Sequence, residues 1–259
     1  MRIVLLSDIH SNEPAMRAVL DALPAHDHIW CLGDTIGYGP NPNECLREMR
    51  ERAQHVLTGN HDLASLGAIS LVTFNPLARA ANEWNNKQLD DELRAYLAER
   101  PARIDLDAEF QPYPPERADR SAQDAATLAH ASPRDPVWEY VLDEVVAKEN
   151  LAHFTAPICF IGHSHVPLVF AYHLGPSLEF GHAEAAYVVE FKPDSRYIVN
   201  PGSVGQPRDS DPRAAFAVWD TEAHTITFHR VQYDVAETQR RMREAKLPSA
   251  LAERLALGR

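Results

Sequence analysis

Ile3-Val4-Leu5-Leu6-Ser7-Asp8-Ile9-His10 decides how the rest of the chain is read. The four aliphatic side chains make a run too short for a helix and without polar alternation, which fits a strand buried on both faces. The run turns polar at Ser7-Asp8, far too soon for a signal peptide or a membrane span. A carboxylate and an imidazole, Asp8 and His10, therefore stand directly at the carboxyl end of the strand.

Working outward, the same arrangement recurs. His28 to Leu32 reads as a second strand that ends at Gly33-Asp34, and Gln54 to Leu57 as a third that stops at Thr58-Gly59-Asn60-His61-Asp62. Helices join them. Asn12 caps one, with Pro14 in its first turn and Ala15, Ala18, Val19 and Ala22 on one face; Asn41-Pro42 starts another that runs through Glu51. Open α/β sheets of this kind hold their sites in the crevice beyond the carboxyl ends of the strands, so the polar clusters are expected to converge.

The middle of the chain changes character. Phe74 to Leu97 reads as helical, with Leu77, Ala81 and Trp84 on one stripe and Leu89, Leu93 and Leu97 on another, a pattern that suits packing more than chemistry. Arg103 to Asp107 and Ala125 to Ala129 are candidate strands, the latter followed by His130 in an Ala-His-Ala-Ser-Pro run. Between them Gln111 to Gln123 is rich in proline and charge and reads as a solvated loop with no assigned role. Positions 66–124 as a whole are expected to be a helical and loop insertion within a single domain spanning 1–259.

Strands dominate thereafter. Ile158 to Ile161 ends at Gly162-His163-Ser164-His165, and Val166 to Tyr172, Ala186 to Phe191, Arg196 to Val199, Ala214 to Trp219 and Thr225 to Val231 follow with turn signals between them, which predicts a second sheet. Val235 to Leu257 is a charged amphipathic helix interrupted at Pro248.

With 259 residues and 45% hydrophobic content the chain can bury a sizeable core. A formal charge of −12 argues against general attraction to nucleic acid or an anionic membrane. It leaves room for an anionic substrate, because bound cations reverse the sign locally. Cys31, Cys45 and Cys159 are too few and too scattered for a disulfide framework, and a cytoplasmic location is expected.

Each polar cluster has a plain alternative, since an Asp after a strand often caps a helix and a lone His is often a satisfied polar residue. The set is more telling. Glycine precedes Asp34, Asn60 and His163, which suits tight turns where backbone approaches a metal closely. His163 and His165 are two apart, as are Asp8 and His10, and in extended chain each pair would face one side. Aspartate, histidine and asparagine without thiolate suit manganese, iron, nickel, cobalt or zinc.

The order Asp8-x-His10, Gly33-Asp34, Gly59-Asn60-His61-Asp62, His130, Gly162-His163-x-His165 resembles the calcineurin-like metallophosphoesterases, and Asn200-Pro201-Gly202-Ser203 is similar to a motif of their smaller prokaryotic phosphodiesterase branch. The resemblance implies an α/β (α+β) fold, a four-layer α-β-β-α sandwich with two central mixed sheets. It also implies two divalent cations, manganese favoured and magnesium among the alternatives. Asp8, His10 and His165 would hold one cation, Asn60, His130 and His163 the other, with Asp34 bridging. Metal-bound hydroxide would attack phosphorus while His61 protonates the leaving oxygen, and Asp62 would either orient that imidazole or cap a helix. His26, His28, His55 and His153 match no motif position.

Two loops are expected to shape the pocket. Tyr38 in Gly37-Tyr38-Gly39-Pro40 would stack on a nucleobase or close the turn. Asn200 to Arg208 offers amides and the Arg208 guanidinium to a phosphate, unless Asp209 takes that guanidinium in a surface pair. The Gly-Tyr-Gly-Pro loop resembles bacterial relatives that act on dinucleoside polyphosphates. The expected activity is hydrolysis of a phosphodiester or phosphoanhydride in a small molecule such as a nucleotide. The alternatives are a phosphomonoesterase, including a Ser/Thr protein phosphatase, and a non-catalytic scaffold on the same fold. A nuclease lacks the basic groove it would need.

Overall fold

The computed structural model describes residues 1–113, 125–173, 178–182 and 184–259. Among these, two six-stranded sheets form. The first has the order β3 (His55–Val56), β2 (His28–Cys31), β1 (Arg2–Leu6), β11 (Ala214–Asp220), β12 (Thr225–Val231), β9 (Val188–Glu190). The second runs β4 (Arg103–Leu106), β5 (Ala126–Ala129), β6 (Ile158–Phe160), β10 (Ser195–Asn200), β7 (Leu168–His173), β8 (Leu178–His182). Both are mixed: β3, β2 and β1 are parallel, as are β5, β6 and β10, and antiparallel strands complete each sheet. The carboxyl ends of these parallel strands carry every polar cluster singled out in the sequence.

The opening run shows why the layers stack as they do. Side chains alternate along a strand, so Ile3 and Leu5 enter the core between the sheets with Trp30, Phe160 and Trp219. Val4 and Leu6 face outward onto Ala15, Met16 and Val19 of α1 (Glu13–Ala22) and Cys45 and Met49 of α2 (Pro42–Arg52). The outer face of the second sheet is covered by Ala147 of α6 (Glu144–Asn150). Each aliphatic side chain fully withdrawn from water contributes about 1.5–3 kcal/mol, and β1 draws on both of its faces. The result is an α-β-β-α sandwich.

Several elements depart from expectation. Phe74 to Leu97 is two helices, α4 (Pro76–Gln88) and α5 (Asp91–Ala98). Leu89 leaves helical geometry after α4, and Asp90, whose amide donates to Asn43, caps α5. Leu77 is exposed, and the buried stripe of α4 is Ala78, Ala81, Asn82 and Asn85. On α1 the buried set is Ala15, Met16 and Val19, while Ala22 is exposed. Strand β8 had no sequence signal; it gains its place by pairing antiparallel with β7. The tail does break near Pro248, into α7 (Val235–Glu244) and α8 (Ser249–Glu253), which pack Met242 and Leu251 onto Tyr38 and α4. Of the Pro-rich stretch Gln111 to Gln123, positions from 114 on lie outside the described residues. The three cysteines are free and buried. No helix among the described residues is long and apolar enough to cross a membrane.

Candidate metal centre

Facing strand ends bring the polar clusters together from both sheets. Asp8, His10 and His165 form one buried group and Asp34, His130 and His163 another, each offering one ligand atom per residue within 4.8 Å of its fellows. Asp34 Oδ2 joins them, 3.7 Å from His10 Nε2 and 3.5 Å from His130 Nε2. Asn60 adds an oxygen to the second group, its Oδ1 lying 3.3 Å from His130 Nε2. In the first, His165 Nε2 is 3.3 Å from Asp8 Oδ1 and 3.0 Å from His10 Nε2.

The backbone prepares these side chains for ligation. His10, His130 and His165 each set Nδ1 against a carbonyl, those of Ile36 (3.3 Å), Leu32 (2.9 Å) and Gln206 (2.6 Å). A carbonyl only accepts, so Nδ1 carries the proton and the Nε2 lone pair points inward. Each carboxylate is likewise half committed. Asp8 Oδ2 accepts from Ser7 Oγ at 2.7 Å and the His163 amide at 3.0 Å, and Asp34 Oδ1 accepts from the His61 amide at 2.8 Å. Among the described residues, the other oxygens, Asp8 Oδ1 and Asp34 Oδ2, have no hydrogen-bond partner, and neither has His163 Nε2. Buried polar atoms without partners cost about 1–3 kcal/mol each, and divalent cations would satisfy these. The residues present fit a pair of cations.

Electrostatics agree. Burial pushes the Asp8 carboxyl up to about 7, with Asp34 adding to the rise. Burial also holds His10, His163 and His165 well below the usual imidazole range. Neutral imidazoles are the form that binds metal.

The local backbone is unusual. Asp8, His10, Asp34, Tyr38, His163 and His165 all have φ between 50° and 65°. Such left-handed non-glycine residues cost of order 1 kcal/mol or more apiece and persist where the surroundings over-determine them. Here the surroundings include Asn200, whose Nδ2 donates to the Gly162 carbonyl (2.6 Å) and Ser164 Oγ (2.9 Å), and Ser203, whose Oγ donates to the Asp8 carbonyl (2.8 Å). The left-handed turns also separate His163 from His165, which join different groups; the extended-chain reading of their spacing fails for that reason. Gly59 is required by close approach, since a Cβ there would strike Asp34 Oδ1 and come within 2.6 Å of His130 Nε2.

His61 stands beside the two groups, 5% exposed, enclosed by Tyr38, Phe74 and His10 at ring separations of 4.2, 5.1 and 5.0 Å. Its partner is not Asp62. The Asp62 carboxylate is spent on the amides of Ile36 (2.9 Å), Gly59 (2.9 Å) and Thr35 (3.3 Å), bracing two ligand loops and the start of α3 (Asn60–Leu66). Asn82 of α4 takes the orienting role instead, its Oδ1 3.0 Å from His61 Nδ1. Burial depresses the His61 imidazole to about 3, and the Asn82 contact opposes that fall. The sequence carried a trace of this, two asparagines three apart on the core-facing stripe of α4; Asn85 holds the Gly37 amide and the Gly39 carbonyl.

Both pocket loops pack into the protein, within the alternatives their sequence left open. Tyr38 is 6% exposed, wedged against His10 and His61 with the Arg208 guanidinium 5.8 Å over its ring, so it offers no open face to a base. The amides of Gly202, Val204, Gly205, Gln206 and Arg208 are committed within the protein. Arg208 donates to Gln206 Oε1 at 2.9 Å and reaches the Tyr38 hydroxyl at 3.5 Å; Asp209 pairs with Arg230. His26, His28, His55 and His153 lie in neither ligand group.

Fold and site define a class, the α-β-β-α sandwiches with two adjoining buried groups of candidate metal ligands. The calcineurin-like phosphoesterase superfamily domain matches residues 1–224. A metallophosphoesterase of Sphaerobacter thermophilus is 42% identical, with a TM-score of 0.84 over 100% of this chain and 99% of that one. An uncharacterized protein of Methanocaldococcus jannaschii is 34% identical across 99% of this chain and 98% of its own length. The symmetrical bis(5'-nucleosyl)-tetraphosphatase of Proteus mirabilis is 30% identical over a shorter stretch, 39% of each chain. The chain belongs to the calcineurin-like phosphoesterases, a metal-dependent family, and is a hydrolase of phosphoric esters.

Proposed function

We propose that the protein hydrolyses a phosphodiester or phosphoanhydride of a nucleotide, such as a dinucleoside polyphosphate, at a centre of two divalent cations with manganese first among them. The observation that carries the two-cation reading is Asp34 Oδ2, unpartnered among the described residues and set between the two groups. Asp8, His10 and His165 would hold one cation, Asn60, His130 and His163 the other, and Asp34 both. When bound, the pair supplies Lewis-acid polarisation of the phosphoryl group and an activated water. Donors of oxygen and nitrogen without thiolate accommodate manganese as they do iron, nickel, cobalt or zinc.

The chain's own residues do the rest. Arg208 holds a non-reacting phosphate, the Tyr38 hydroxyl steadying its guanidinium. His61, with Nδ1 anchored on Asn82, presents Nε2 to the departing oxygen and delivers a proton there; the approaching phosphate's negative charge favours the protonated ring against burial. The nucleotide preference is supported by the partial likeness to a tetraphosphatase and by Arg208, a guanidinium without a carboxylate partner among the described residues.

The test is a side-by-side assay of metal-reconstituted protein on a phosphomonoester, a phosphodiester and a series of dinucleoside polyphosphates. A kcat/KM for the polyphosphates exceeding that for the monoester by about tenfold, some 1.4 kcal/mol of transition-state binding, is expected. A preference for the monoester overturns the nucleotide reading, and turnover no higher than a metal-only blank overturns the enzymatic one.

Cation loading should itself depend on pH. Because the Asp8 carboxyl is pushed up to about 7, a cation arriving below that pH displaces a proton, whereas above it the ligand is already ionised. Apparent affinity should therefore fall between about pH 8 and pH 6, approaching roughly tenfold per unit for each proton displaced, and Asp34, which burial also holds well above the usual carboxylate range, adds to the slope. Competition with a fluorescent chelator checks this, and a flat profile would remove Asp8 from the ligand set.

A further inference from the structure

The loop between β5 and α6 does two jobs that no sequence motif announced. Its inner side is pinned: the Glu139 carboxylate accepts from Ser132 Oγ at 2.7 Å, Asn150 Nδ2 at 2.8 Å and Arg134 Nε at 3.0 Å, and Arg134 also pairs with Glu149. Val141 is buried in the core beneath α6. Its outer side carries two aromatic rings in the open. Tyr140 lies on the imidazole of His163 with ring centres 4.1 Å apart and 30° between planes, and is still 47% exposed. Trp138 packs against Phe74 at 5.2 Å, and Phe74 in turn touches His61 at 5.1 Å; Trp138 is 37% exposed. One ring is thus anchored on a candidate metal ligand and the other, through Phe74, on the candidate proton donor.

Large aromatic surface left open on a braced loop is poised for a planar partner, because stacking gains most where the ring is held still beforehand. Arg208 and Arg254 lie close enough for their charges to repel, and both act on Tyr38. Arg254 also acts on Tyr140, so positive charge able to meet a phosphate borders the open rings. Tyr38, which the sequence left between stacking on a base and closing the turn, is covered.

We propose that Trp138 and Tyr140 form a stacking platform for the nucleobase of the substrate, next to the phosphate held over the metal centre. The platform rests on the nucleotide reading of that centre, and its test separates the two. Manganese-reconstituted protein is titrated with AMP and with ribose 5-phosphate, which share sugar and phosphate and differ by the base. Wild-type protein should bind AMP about tenfold or more tightly than ribose 5-phosphate, the scale of one stacked base. Trp138→Ala should lose most of that difference while its affinity for ribose 5-phosphate and its metal content hold, since the Trp138 side chain touches neither ligand group. Tyr140→Leu should also lose most of that difference, its metal content being measured alongside because Tyr140 packs on His163, and Trp138→Phe, which retains a stacking face, should recover the preference.

Equal binding of AMP and ribose 5-phosphate by the wild type, or a preference that survives both Trp138→Ala and Tyr140→Leu, overturns the platform and leaves the phosphoesterase reading standing. Binding of neither compound, together with no turnover of nucleotides in the substrate panel, overturns the nucleotide reading and the platform with it.

Discussion

Asp34→Asn should strip both cations together and lower kcat/KM by about 10³-fold, the several kcal/mol that paired metal ions contribute to phosphoryl transfer. The substitution keeps the shape of the side chain and the Oδ1 that accepts from the His61 amide, so the loops around it should stay in place. What it removes is the negative charge and the free Oδ2 that stands between His10 and His130. Elemental analysis of the purified variant gives the reading. Loss of a single equivalent of metal would make Asp34 a terminal ligand of one site and overturn the bridging assignment.

His61→Ala should behave in the opposite way, with metal content near that of the wild type and turnover reduced by about 10² to 10⁴-fold, the usual contribution of a positioned general acid. The loss should shrink on esters whose leaving group departs without a proton, because only the poor leaving group needs one. Asn82→Ala makes a graded companion. It leaves the imidazole present but unanchored, and a fall of about 10- to 100-fold is expected for the removal of such an orienting partner. Undiminished turnover by His61→Ala on an alkyl phosphodiester would assign the proton to another group.

How much of this was legible in the chain follows from what kind of signal each feature leaves. β1 was plain because four aliphatic residues buried on both faces can be little else, and a polar pair at its end is hard to place anywhere but at the sheet edge. The glycines before Asp34, Asn60 and His163 marked tight turns, and in Gly59 the reason is a carboxylate and an imidazole with no space for a Cβ. The backbone between ligands was not legible. No residue type announces that Asp8, His10, His163 and His165 adopt left-handed angles, so a two-residue spacing suggested one face where the chain in fact turns.

Features created by tertiary contact were likewise hidden. Asn82 is an ordinary helix residue until α4 packs on His61, and Asp62, which the sequence left between orienting His61 and capping a helix, caps α3. The break at Leu89 and Asp90 was masked by apolar residues that continued on either side of it. Strand β8 exists because β7 offers it an edge. No sequence motif singled out Trp138 and Tyr140; their exposure and their neighbours in space support the role proposed for them.

The two ligand groups each take members from both halves of the sandwich: Asp8, His10, Asp34 and Asn60 follow strands of the first sheet, and His130, His163 and His165 follow strands of the second. Cations bound as proposed would therefore be rivets between the sheets, closing one end of the molecule. Binding that favours the folded state raises its stability by mass action. Metal-loaded protein is then expected to outlast metal-stripped protein under proteolysis, so that metal supply would act on the amount of protein as well as on its specific activity.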